Sequence, residues 1–359
     1  MIPLLRAIVA DDSALYRRVV ARCLTSLGGV EIVGEASNGK EAIELASRCS
    51  PDLLTLDMNM PILDGLGTLR ALRAAHLTCE VIVVSAETRQ GAAATLDALQ
   101  LGAVDFITKP ATEDARISMD LLTYELRRQL SAIRMRRDHR QRGAVSVDTH
   151  RRFSAAAPIG SAIHPVPEVV VIGTSTGGPA ALPVLLGALP ASFGVPVLVV
   201  QHMPPLFTAS LAESLDRKCG LRVVEAHHGQ LAAPGHAYIA PGGRHMKTQR
   251  AFDKAVRIML TDEPPENHCR PSVDTLFRSV AQTYEGRVVA AILTGMGNDG
   301  VAGLRVLKGL GAMIIAQDEA TSTVFGMPQE AIRAAVVDVI LPLERIGPQI
   351  LVSLSPNGK

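Results

Sequence analysis

The stretch that decides the fold of the second half of the chain reads Val169-Val170-Val171-Ile172-Gly173-Thr174-Ser175-Thr176-Gly177-Gly178-Pro179. Its four consecutive β-branched residues predict a strand that is buried on both faces, as strands are in a parallel sheet. Pro179 favours the first turn of a helix, which we predict over residues 180–189. The order of strand, glycine-rich turn and helix indicates a parallel α/β sheet with Ser175 at its edge.

The turn around Ser175 has two interpretations. It carries the Gly-x-Ser-x-Gly pattern of a nucleophile elbow, in which a sharp turn exposes the serine oxygen and a neighbouring N–H stabilises an oxyanion. A glycine-rich loop ahead of a helix also binds phosphate groups or nucleotides through the free N–H groups of that helix. This stretch alone does not choose between the two kinds of site.

Composition narrows the class of protein. A chain of 359 residues with 47% hydrophobic residues is long enough for two globular domains, and no apolar run is long enough to span a membrane. The net charge of +1 provides no overall attraction to nucleic acid or anionic lipid. The five cysteines are scattered and form no C-x-x-C pair, and the first apolar segment runs directly into Asp11-Asp12, unlike a secretory signal. We therefore expect a cytoplasmic protein without disulfides, a zinc site, a nucleic-acid partner or membrane insertion.

Residues 1–120 alternate short apolar segments with helical patterns, which predicts parallel β/α units. The predicted strands are Leu5–Ala10, Leu53–Leu56, Val81–Val84 and Asp105–Thr108, and the polar residues at their ends are Asp11-Asp12, Asp57, Ser85 and Lys109. Because parallel strands end at the same edge of a sheet, these side chains are expected to share one crevice. Clustered carboxylates suit Mg²⁺, and a carboxylate beside the bound ion could accept a phosphoryl group whose oxygens Lys109 and Ser85 would bind. A single strand-end aspartate could merely cap a helix, but the whole set in this order favours a site.

At these positions the sequence resembles bacterial response-regulator receiver domains. The matching pieces are Ile8-Val9-Ala10-Asp11-Asp12-Ser13, Asp57 with Met60-Pro61 and Asp64-Gly65, Ser85-Ala86 and Lys109-Pro110. The resemblance implies a flavodoxin-like fold, with Asp57 as phosphoacceptor and Mg²⁺ held by Asp11, Asp12, Asp57 and the Asn59 carbonyl. It further implies that Ser85 and Lys109 bind the phosphoryl group, that Phe106 is the switch aromatic, and that the bond before Pro110 is cis.

Residues 121–166 are expected to connect two domains. Leu121–Met135 has a helical pattern, after which we predict that the helix dissolves into an arginine-containing segment rich in Ala, Pro, Gly and Ser. The arginines could contact nucleic acid, but no stacking aromatics or helix-turn-helix pattern accompany them. A solvated tether is the favoured interpretation.

Three polar residues follow three different predicted strands of the second domain, residues 167–354. Ser175 follows the strand quoted above, His202 follows Val195–Val200, and Asp299 lies in the glycine-rich turn after Val288–Leu293. Further strands are predicted at His236–Ala240, Arg257–Thr261, Met313–Ala316 and Val336–Ile340. In one parallel sheet, Ser175, His202 and Asp299 can converge, which is the precondition of a Ser–His–Asp triad.

The proposed triad has competitors along the chain. Its order of Ser, His, Asp differs from the Ser, Asp, His of the α/β-hydrolases, so a separate origin is indicated. A histidine after a strand can be purely structural, and other histidines occur at His227, His228, His236, His245 and His268. None of these follows a strand so directly, and none has the H-E-x-x-H spacing of a metal site.

The second domain resembles the catalytic domain of the chemotaxis protein-glutamate methylesterases. The matching segments are Gly173–Gly178, Gln201-His202-Met203-Pro204, Arg270-Pro271-Ser272-Val273-Asp274, Thr294–Gly300, Gln317-Asp318 and Gly326-Met327-Pro328. The resemblance implies Ser175 as nucleophile, His202 as general base, Asp299 as the orienting acid and Asp274 as the second choice for that acid. It also implies the Met296 N–H as an oxyanion donor, with Thr176 and Arg270 lining the cleft and no cofactor in this domain.

The two resemblances together imply a doubly wound receiver joined to a doubly wound, mostly parallel α/β methylesterase domain. The expected partners are a chemotaxis histidine kinase, as phosphodonor, and the cytoplasmic bundle of a chemoreceptor, as substrate. In such proteins the unphosphorylated receiver hinders access to the catalytic cleft. Two rivals are a response regulator whose second domain only binds a nucleotide or partner, for which Ser175 would be dispensable, and one with a DNA-binding output.

Overall fold

Two units, Met1–Met135 and Arg136–Lys359, make up the chain. A computed structural model describes residues 4–110, 114–143 and 164–354. Most of the segment that the sequence predicts as a tether therefore lies outside the described residues. The two units are described one at a time.

The first unit is built on a five-stranded parallel sheet in the order β2-β1-β3-β4-β5. Its strands are β1 (Leu5–Ala10), β2 (Val30–Ala36), β3 (Leu53–Asp57), β4 (Glu80–Ser85) and β5 (Asp105–Thr108). Its helices are α1 (Ala14–Ser26), α2 (Gly39–Cys49), α3 (Gly65–Ala74), α4 (Arg89–Gln100) and α5 (Ala115–Gly143). This strand order is that of a flavodoxin-like fold, whose switch point lies between β1 and β3. The predicted fold class of this domain is confirmed.

Helix α5 is longer than the sequence pattern predicted. The pattern ended the helix at Met135, whereas the helix continues through the arginines to Gly143. Its apolar face packs into the core of the first unit through Leu122, Leu126, Leu130 and Ile133. Because arginine is a good helix former, a helix anchored in this way can propagate through the basic segment.

The peptide bond before Pro110 differs from the expectation drawn from the receiver resemblance. Among the described residues, the only cis bond is Arg270-Pro271, so Lys109-Pro110 is trans. The trans isomer is the more stable form of an X–Pro bond by about 0.5–1 kcal/mol. Lys109 forms ion pairs with both Asp11 and Asp57.

The second unit contains a seven-stranded sheet in the order β14-β13-β12-β6-β7-β9-β8, in which every pair of neighbours is parallel. Its strands are β6 (Val169–Thr174), β7 (Val197–Gln201), β8 (Arg222–Glu225), β9 (His236–Ile239), β12 (Val288–Ile292), β13 (Met313–Gln317) and β14 (Val339–Leu341). Its helices are α6 (Gly178–Gly187), α7 (Phe207–Asp216), α8 (Val273–Tyr284), α9 (Val301–Gly309), α10 (Met327–Arg333) and α11 (Leu343–Ser353). The predicted doubly wound, mostly parallel fold is confirmed.

The chain of the second unit proceeds from β6 to one side of the sheet and later returns to β12 on the other side. The crevice between the carboxyl ends of β6 and β12 is therefore a topological switch point, where ligands bind in open α/β sheets. Ser175 directly follows β6, and the turn with Asp299 follows β12. This topology brings the two turns together.

A separate antiparallel hairpin, β10 (His245–Arg250) and β11 (Val256–Thr261), accounts for one difference from the prediction. The sequence predicted the β11 segment as one of the alternating strands. It pairs instead with β10, outside the seven-stranded sheet, and its Arg257 forms an isolated antiparallel bridge with Leu231. The Thr248 N–H donates to Ser279 Oγ of α8 at 3.1 Å, which fixes the hairpin against that helix.

No helix in the described ranges combines the length and the apolar character needed to cross a membrane.

Candidate active site

Acidic side chains meet at the carboxyl edge of the sheet in the first unit. Asp11 and Asp57 are buried and Asp12 is exposed, and each offers an oxygen within 4.8 Å of those of the other two. Lys109 Nζ lies 2.7 Å from Asp11 Oδ2 and 3.0 Å from Asp57 Oδ1. These three carboxylates could hold a hard divalent cation.

The charges in this cluster perturb one another. Burial raises the pKa of Asp57, and the nearby Lys109 ammonium only partly offsets that effect. Burial by itself would lower the pKa of Lys109, but its bonds to Asp11 and Asp57 raise it overall. A buried carboxylate beside two others is a group that a bound cation would stabilise in its charged form.

The remaining predicted residues of this site lie around the cluster. Ser85 is buried, and its hydroxyl lies 3.4 Å from the carbonyl oxygens of Ala86 and Gly91. Phe106 is buried on β5, and Asn59 is exposed two residues after Asp57. Sequence reasoning missed Tyr16, whose ring centroid lies 4.6 Å from Lys109 Nζ. A lone tyrosine on α1 gave no pattern from which this contact could be predicted.

Ser175 occupies a tight turn between β6 and α6. Its N–H donates to the carbonyl of Thr294 at 3.0 Å, and its own carbonyl accepts from the N–H of Gly178 at 2.9 Å. Gly177 has φ 85°, a left-handed conformation that glycine adopts without strain. A Cβ built on Gly295 would lie 2.8 Å from Ser175 Cβ, so only glycine allows the turn after β12 to approach the serine this closely.

His202 follows β7 and is bound to the same turn. Its N–H donates to the Thr174 carbonyl at 3.1 Å. The side-chain amide of the buried Gln201 donates to the carbonyls of both Ser175, at 2.9 Å, and His202, at 3.1 Å. One amide group thus links the backbone of the serine turn to that of the histidine. Sequence reasoning assigned no role to Gln201.

The carboxylate of Asp299 is held at the N-terminus of α8. Oδ2 accepts from His202 Nε2 at 2.8 Å and from the Val273 N–H at 2.7 Å. Oδ1 accepts from the Asp274 N–H at 3.1 Å, and also from the side chains of Ser272, at 2.8 Å, and Asn267, at 3.0 Å. The first N–H groups of a helix lack intrahelical partners and favour negative charge, so this position suits an ionised carboxylate.

These hydrogen bonds determine the protonation of the pair. Burial by itself would raise the pKa of Asp299, but the bonds from His202, Asn267 and Val273 hold it well below its usual range. Burial alone would lower the pKa of His202, yet its contacts with Asp299 and Cys269 raise it to about 9. The structure therefore pairs an aspartate whose pKa is lowered with a histidine whose pKa is raised.

Asp274, the second choice for the orienting acid, does not face His202. Its Oδ1 accepts from the Gly303 N–H at 2.6 Å, and its Oδ2 accepts from Asn267 at 2.9 Å. Ser175 is buried, and its hydroxyl has no hydrogen-bond partner among residues 4–110, 114–143 and 164–354. The structure thus joins His202 to Asp299, and it does not join Ser175 Oγ to His202 by a hydrogen bond.

The three predicted cleft residues have different environments. The N–H of Met296, one residue after Gly295, has no partner within the part of the chain that the structure describes. Thr176 is buried beside the serine, and its carbonyl accepts from Thr294 Oγ1 at 2.8 Å. Arg270 is exposed, and its guanidinium donates to the carbonyls of Asp262 and Glu263.

Sequence reasoning also missed the turn that carries Cys269. Cys269 Sγ lies 3.7 Å from His202 Nδ1, the ring nitrogen that does not face Asp299. Asn267 in the same turn bonds to both Asp274 and Asp299. The only signal in the sequence was that Cys269 directly precedes the Arg270-Pro271 motif.

The acidic cluster in the first unit and the Ser175, His202 and Asp299 site in the second unit together define a class of protein. The first unit has the fold and the acidic cluster of a response-regulator receiver, and the second has the serine turn and the His–Asp pair expected of a hydrolase. The class is therefore a response regulator with a hydrolase output domain.

Comparison with known proteins identifies the family. Residues 7–119 match the response regulator receiver domain, and residues 170–350 match the CheB methylesterase family. A protein-glutamate methylesterase/protein-glutamine glutaminase of Desulfotalea psychrophila is 41% identical over 355 residues, which cover 97% of this chain and 98% of that protein. One from Archaeoglobus fulgidus is 41% identical over 348 residues, which cover 97% of each chain. The crystal structure of the Thermotoga maritima CheB methylesterase catalytic domain is 42% identical, with a TM-score of 0.51, and covers 52% of this chain and 97% of that one.

The chain therefore belongs to the protein-glutamate methylesterase/protein-glutamine glutaminase family, and it is an enzyme of the carboxylic ester hydrolase class.

Proposed function

We propose that this protein is a phosphorylation-activated hydrolase that removes methyl esters from glutamate side chains of chemoreceptors and also deamidates receptor glutamines. It acts on the cytoplasmic part of the receptor, in sensory adaptation of a chemotaxis or chemotaxis-like pathway. The observation that carries the proposal is the hydrogen bond of 2.8 Å between His202 and Asp299, beside the turn that contains Ser175.

In the proposed reaction Ser175 is the nucleophile and His202 the general base. Ser175 Oγ attacks the γ-carbonyl carbon of the ester while His202 takes the hydroxyl proton, and the protonated histidine returns it to the departing methanol. Water, deprotonated by His202, then releases glutamate from the acyl-enzyme. With a glutamine substrate the leaving group is ammonia, and the same two steps apply.

The two ring nitrogens of His202 have separate tasks. Nε2 is engaged by Asp299, which leaves Nδ1 to take the serine proton. Ser175 Oγ is unpaired within the described residues, and in the proposed reaction it becomes the hydrogen-bond partner of Nδ1 when substrate binds. The unpaired Met296 N–H is suited to donate a hydrogen bond to the developing oxyanion.

Phosphorylation of the first domain regulates the esterase activity of the second. A chemotaxis histidine kinase donates the phosphoryl group to Asp57, and Ser85 and Lys109 bind its oxygens while Phe106 responds as the switch residue. Asp11, Asp12 and Asp57, together with the Asn59 carbonyl, would hold Mg²⁺, and the three carboxylate oxygens within 4.8 Å of one another fit a hard cation. When bound, Mg²⁺ supplies positive charge against the phosphoryl oxygens.

Incubation with a methyl-labelled receptor bundle tests the proposed function. The wild-type protein is expected to release labelled methanol, and Ser175→Ala to release none while its circular dichroism and thermal transition stay unchanged. Because triad residues act as a unit, adding His202→Ala to Ser175→Ala should cost little more. Substantial turnover by Ser175→Ala would exclude the covalent mechanism.

A further inference from the structure

Cys269 is the one cysteine whose sulfur contacts the candidate catalytic pair among the described residues. Its Sγ lies 3.7 Å from His202 Nδ1, and the side chain is only partly buried. The proposed reaction uses Nδ1 as a base but gives the thiol no task. A thiol, an imidazole nitrogen and a carboxylate, with ligand atoms within 4.8 Å of one another, form a group that could hold a metal ion.

The separation of the sulfur and the nitrogen matches that of two ligands on one zinc ion. With Zn–S of about 2.3 Å, Zn–N of about 2.0–2.1 Å and a tetrahedral angle, the two ligand atoms lie about 3.6 Å apart. The observed distance from Cys269 Sγ to His202 Nδ1 is 3.7 Å, a thiol–imidazole hydrogen bond that a cation would replace. Thiolate and imidazole are also the ligands that select zinc over Mg²⁺ or Ca²⁺.

The other side of the imidazole has the arrangement found behind zinc-bound histidines. Metal-binding histidines almost always direct their second ring nitrogen at a carboxylate or carbonyl, which fixes the tautomer and increases the basicity of the ligand. Here His202 Nε2 bonds to Asp299 Oδ2 at 2.8 Å, and that carboxylate is fixed by the N-terminus of α8. Asp299 thus acts as the supporting carboxylate, and the Nδ1 lone pair is directed at the thiol.

Cys269 is also held in place before any metal binds. The N–H and C=O groups of Glu266 and Cys269 bond to each other, at 3.1 Å and 2.8 Å, across a turn whose two central residues both have positive φ. One of these, Asn267, bonds to Asp299 at 3.0 Å. The turn that carries the sulfur is thereby tied to the carboxylate that orients the histidine, so little ordering is required to bring the two ligands together.

We propose that His202 and Cys269 form an inhibitory site for Zn²⁺ or a similar thiophilic divalent cation. On binding, the Cys269 thiol loses its proton to solvent, and a protonated His202 also releases its Nδ1 proton to solvent. The cation then bonds to Sγ and Nδ1, and water completes its coordination, with no change of oxidation state. The cation then occupies the lone pair that must accept the serine proton. The inhibition rests on the proposed esterase function. Binding of the cation to His202 and Cys269 does not depend on that function. This proposal revises the expectation of no zinc site, which rested only on the spacing of the cysteines.

Spectroscopy of full-length protein with Co²⁺ tests the site independently of activity. Co²⁺ ligated by a thiolate has a sulfur-to-metal charge-transfer band, which the oxygen ligands of the receiver cluster cannot produce. The band is expected in wild type and in Ser175→Ala, and it should be absent in Cys269→Ser and Cys269→Ala. Asp299→Asn should weaken Co²⁺ binding by about 10–100-fold, the usual effect of losing a supporting carboxylate. Cys219→Ser, which alters a partly buried cysteine elsewhere in the same unit, is the matched control and should keep the band.

Methanol release measured against Zn²⁺ concentration tests the inhibition. Zn²⁺ should inhibit wild type and Cys219→Ser reversibly, with recovery on adding EDTA. The concentration for half-inhibition should rise at least about tenfold in Cys269→Ser, with each rate normalised to the same variant without zinc. No charge-transfer band in wild type, an unchanged band in Cys269→Ser, or equal inhibition of both would overturn the proposal. If no esterase activity exists, the proposed function fails while the Co²⁺ band still decides the metal site.

Discussion

His202 Nε2 lies 2.8 Å from Asp299 Oδ2, and the same oxygen accepts the N–H of Val273 at the start of α8. The charge that stabilises a protonated His202 is therefore itself stabilised by the N-terminus of a helix. Since a buried carboxylate is costly unless it is paired and hydrogen-bonded, the five bonds to Asp299 explain how it remains ionised next to the histidine.

Substitution of Asp299 should reduce the rate far more than it reduces binding. Asp299→Asn is expected to lower kcat by about three to four orders of magnitude with little change in KM, because the amide favours the wrong tautomer of His202. The matched variant is Asp274→Asn, which alters a neighbouring buried carboxylate that bonds to Gly303 and Asn267 but does not contact His202.

Asp274→Asn should cost about 1–3 kcal/mol of folding stability, the usual range for a lost charged hydrogen-bond partner, and change kcat by less than about tenfold. Steady-state kinetics and thermal unfolding of both variants provide the measurement. If Asp274→Asn loses more kcat than Asp299→Asn, Asp274 rather than Asp299 orients His202.

Much of the candidate site could be predicted from the sequence because it follows from topology. Ser175, His202 and Asp299 each come after a strand, and the carboxyl ends of parallel strands share one edge of the sheet. Cys269 could not be predicted in this way. It lies in a turn outside the strands, 67 positions from His202, and its contact depends on positive-φ backbone at Asn267 and His268. No periodic pattern encodes such a contact.

The strands that the sequence did not predict also lack a clear apolar pattern. The strands buried on both faces, such as β6 and β12, were predicted from their apolar runs. Strand β10 was missed because the segment His245–Arg250 contains one apolar residue, Met246, and has an exposed end. Strand β8, at the edge of the sheet, has only four residues. Short or edge strands bury little apolar side chain, so their sequences have little pattern.

The pKa of His202 should appear in the pH dependence of the reaction. A general base must be unprotonated, and the pKa of His202 is raised from 6.5 to about 9. At neutral pH most of the histidine is therefore protonated, and kcat/KM should rise about tenfold per pH unit until it levels off near pH 9.

Cys269→Ser removes one of the interactions that raise this pKa, so the rising limb should move to lower pH. Cys219→Ser should leave the profile unchanged. A wild-type profile that is already flat from pH 6.5 upwards would show that the His202 pKa is not raised.

The close approach of Gly295 to Ser175 should be essential for catalysis. A Cβ at this position would lie 2.8 Å from Ser175 Cβ and 2.4 Å from Met327 Sδ. Gly295→Ala is therefore expected to displace the Met296 N–H from the serine and to lower kcat by about 10²–10³-fold, the effect of losing one oxyanion donor.

The matched control for this substitution is Gly187→Ala, at the end of α6, where an added Cβ meets nothing within 4 Å. It should leave kcat unchanged and increase stability by up to about 0.5–1 kcal/mol. Assays of methanol release, combined with thermal unfolding, compare the two. Equal kcat values for Gly295→Ala and Gly187→Ala would show that the close approach of Gly295 and the position of the Met296 N–H do not contribute to catalysis.

Phosphorylation of Asp57 should increase the esterase rate, and the increase should require a divalent cation. In full-length protein a small phosphodonor with Mg²⁺ is expected to raise methanol release, and a tenfold rise needs a difference of only about 1.4 kcal/mol between the inhibited and active states. The Asp57→Ala variant should release methanol at the basal rate, and the phosphodonor should not change that rate. EDTA should abolish the response of wild type without lowering its basal rate, because the carboxylates that would hold Mg²⁺ all belong to the first unit.

The source of the activation can be tested by removing the first unit. A protein that begins near Val166 contains the complete seven-stranded sheet, and the catalytic domain of the Thermotoga maritima relative has been solved without a receiver. If the receiver inhibits the esterase, this shortened protein should be faster than unphosphorylated full-length protein and insensitive to phosphodonor, Mg²⁺ and EDTA. A rate no higher than that of the unphosphorylated full-length protein would show instead that phosphorylation activates the second domain directly, since there would then be no inhibition to relieve.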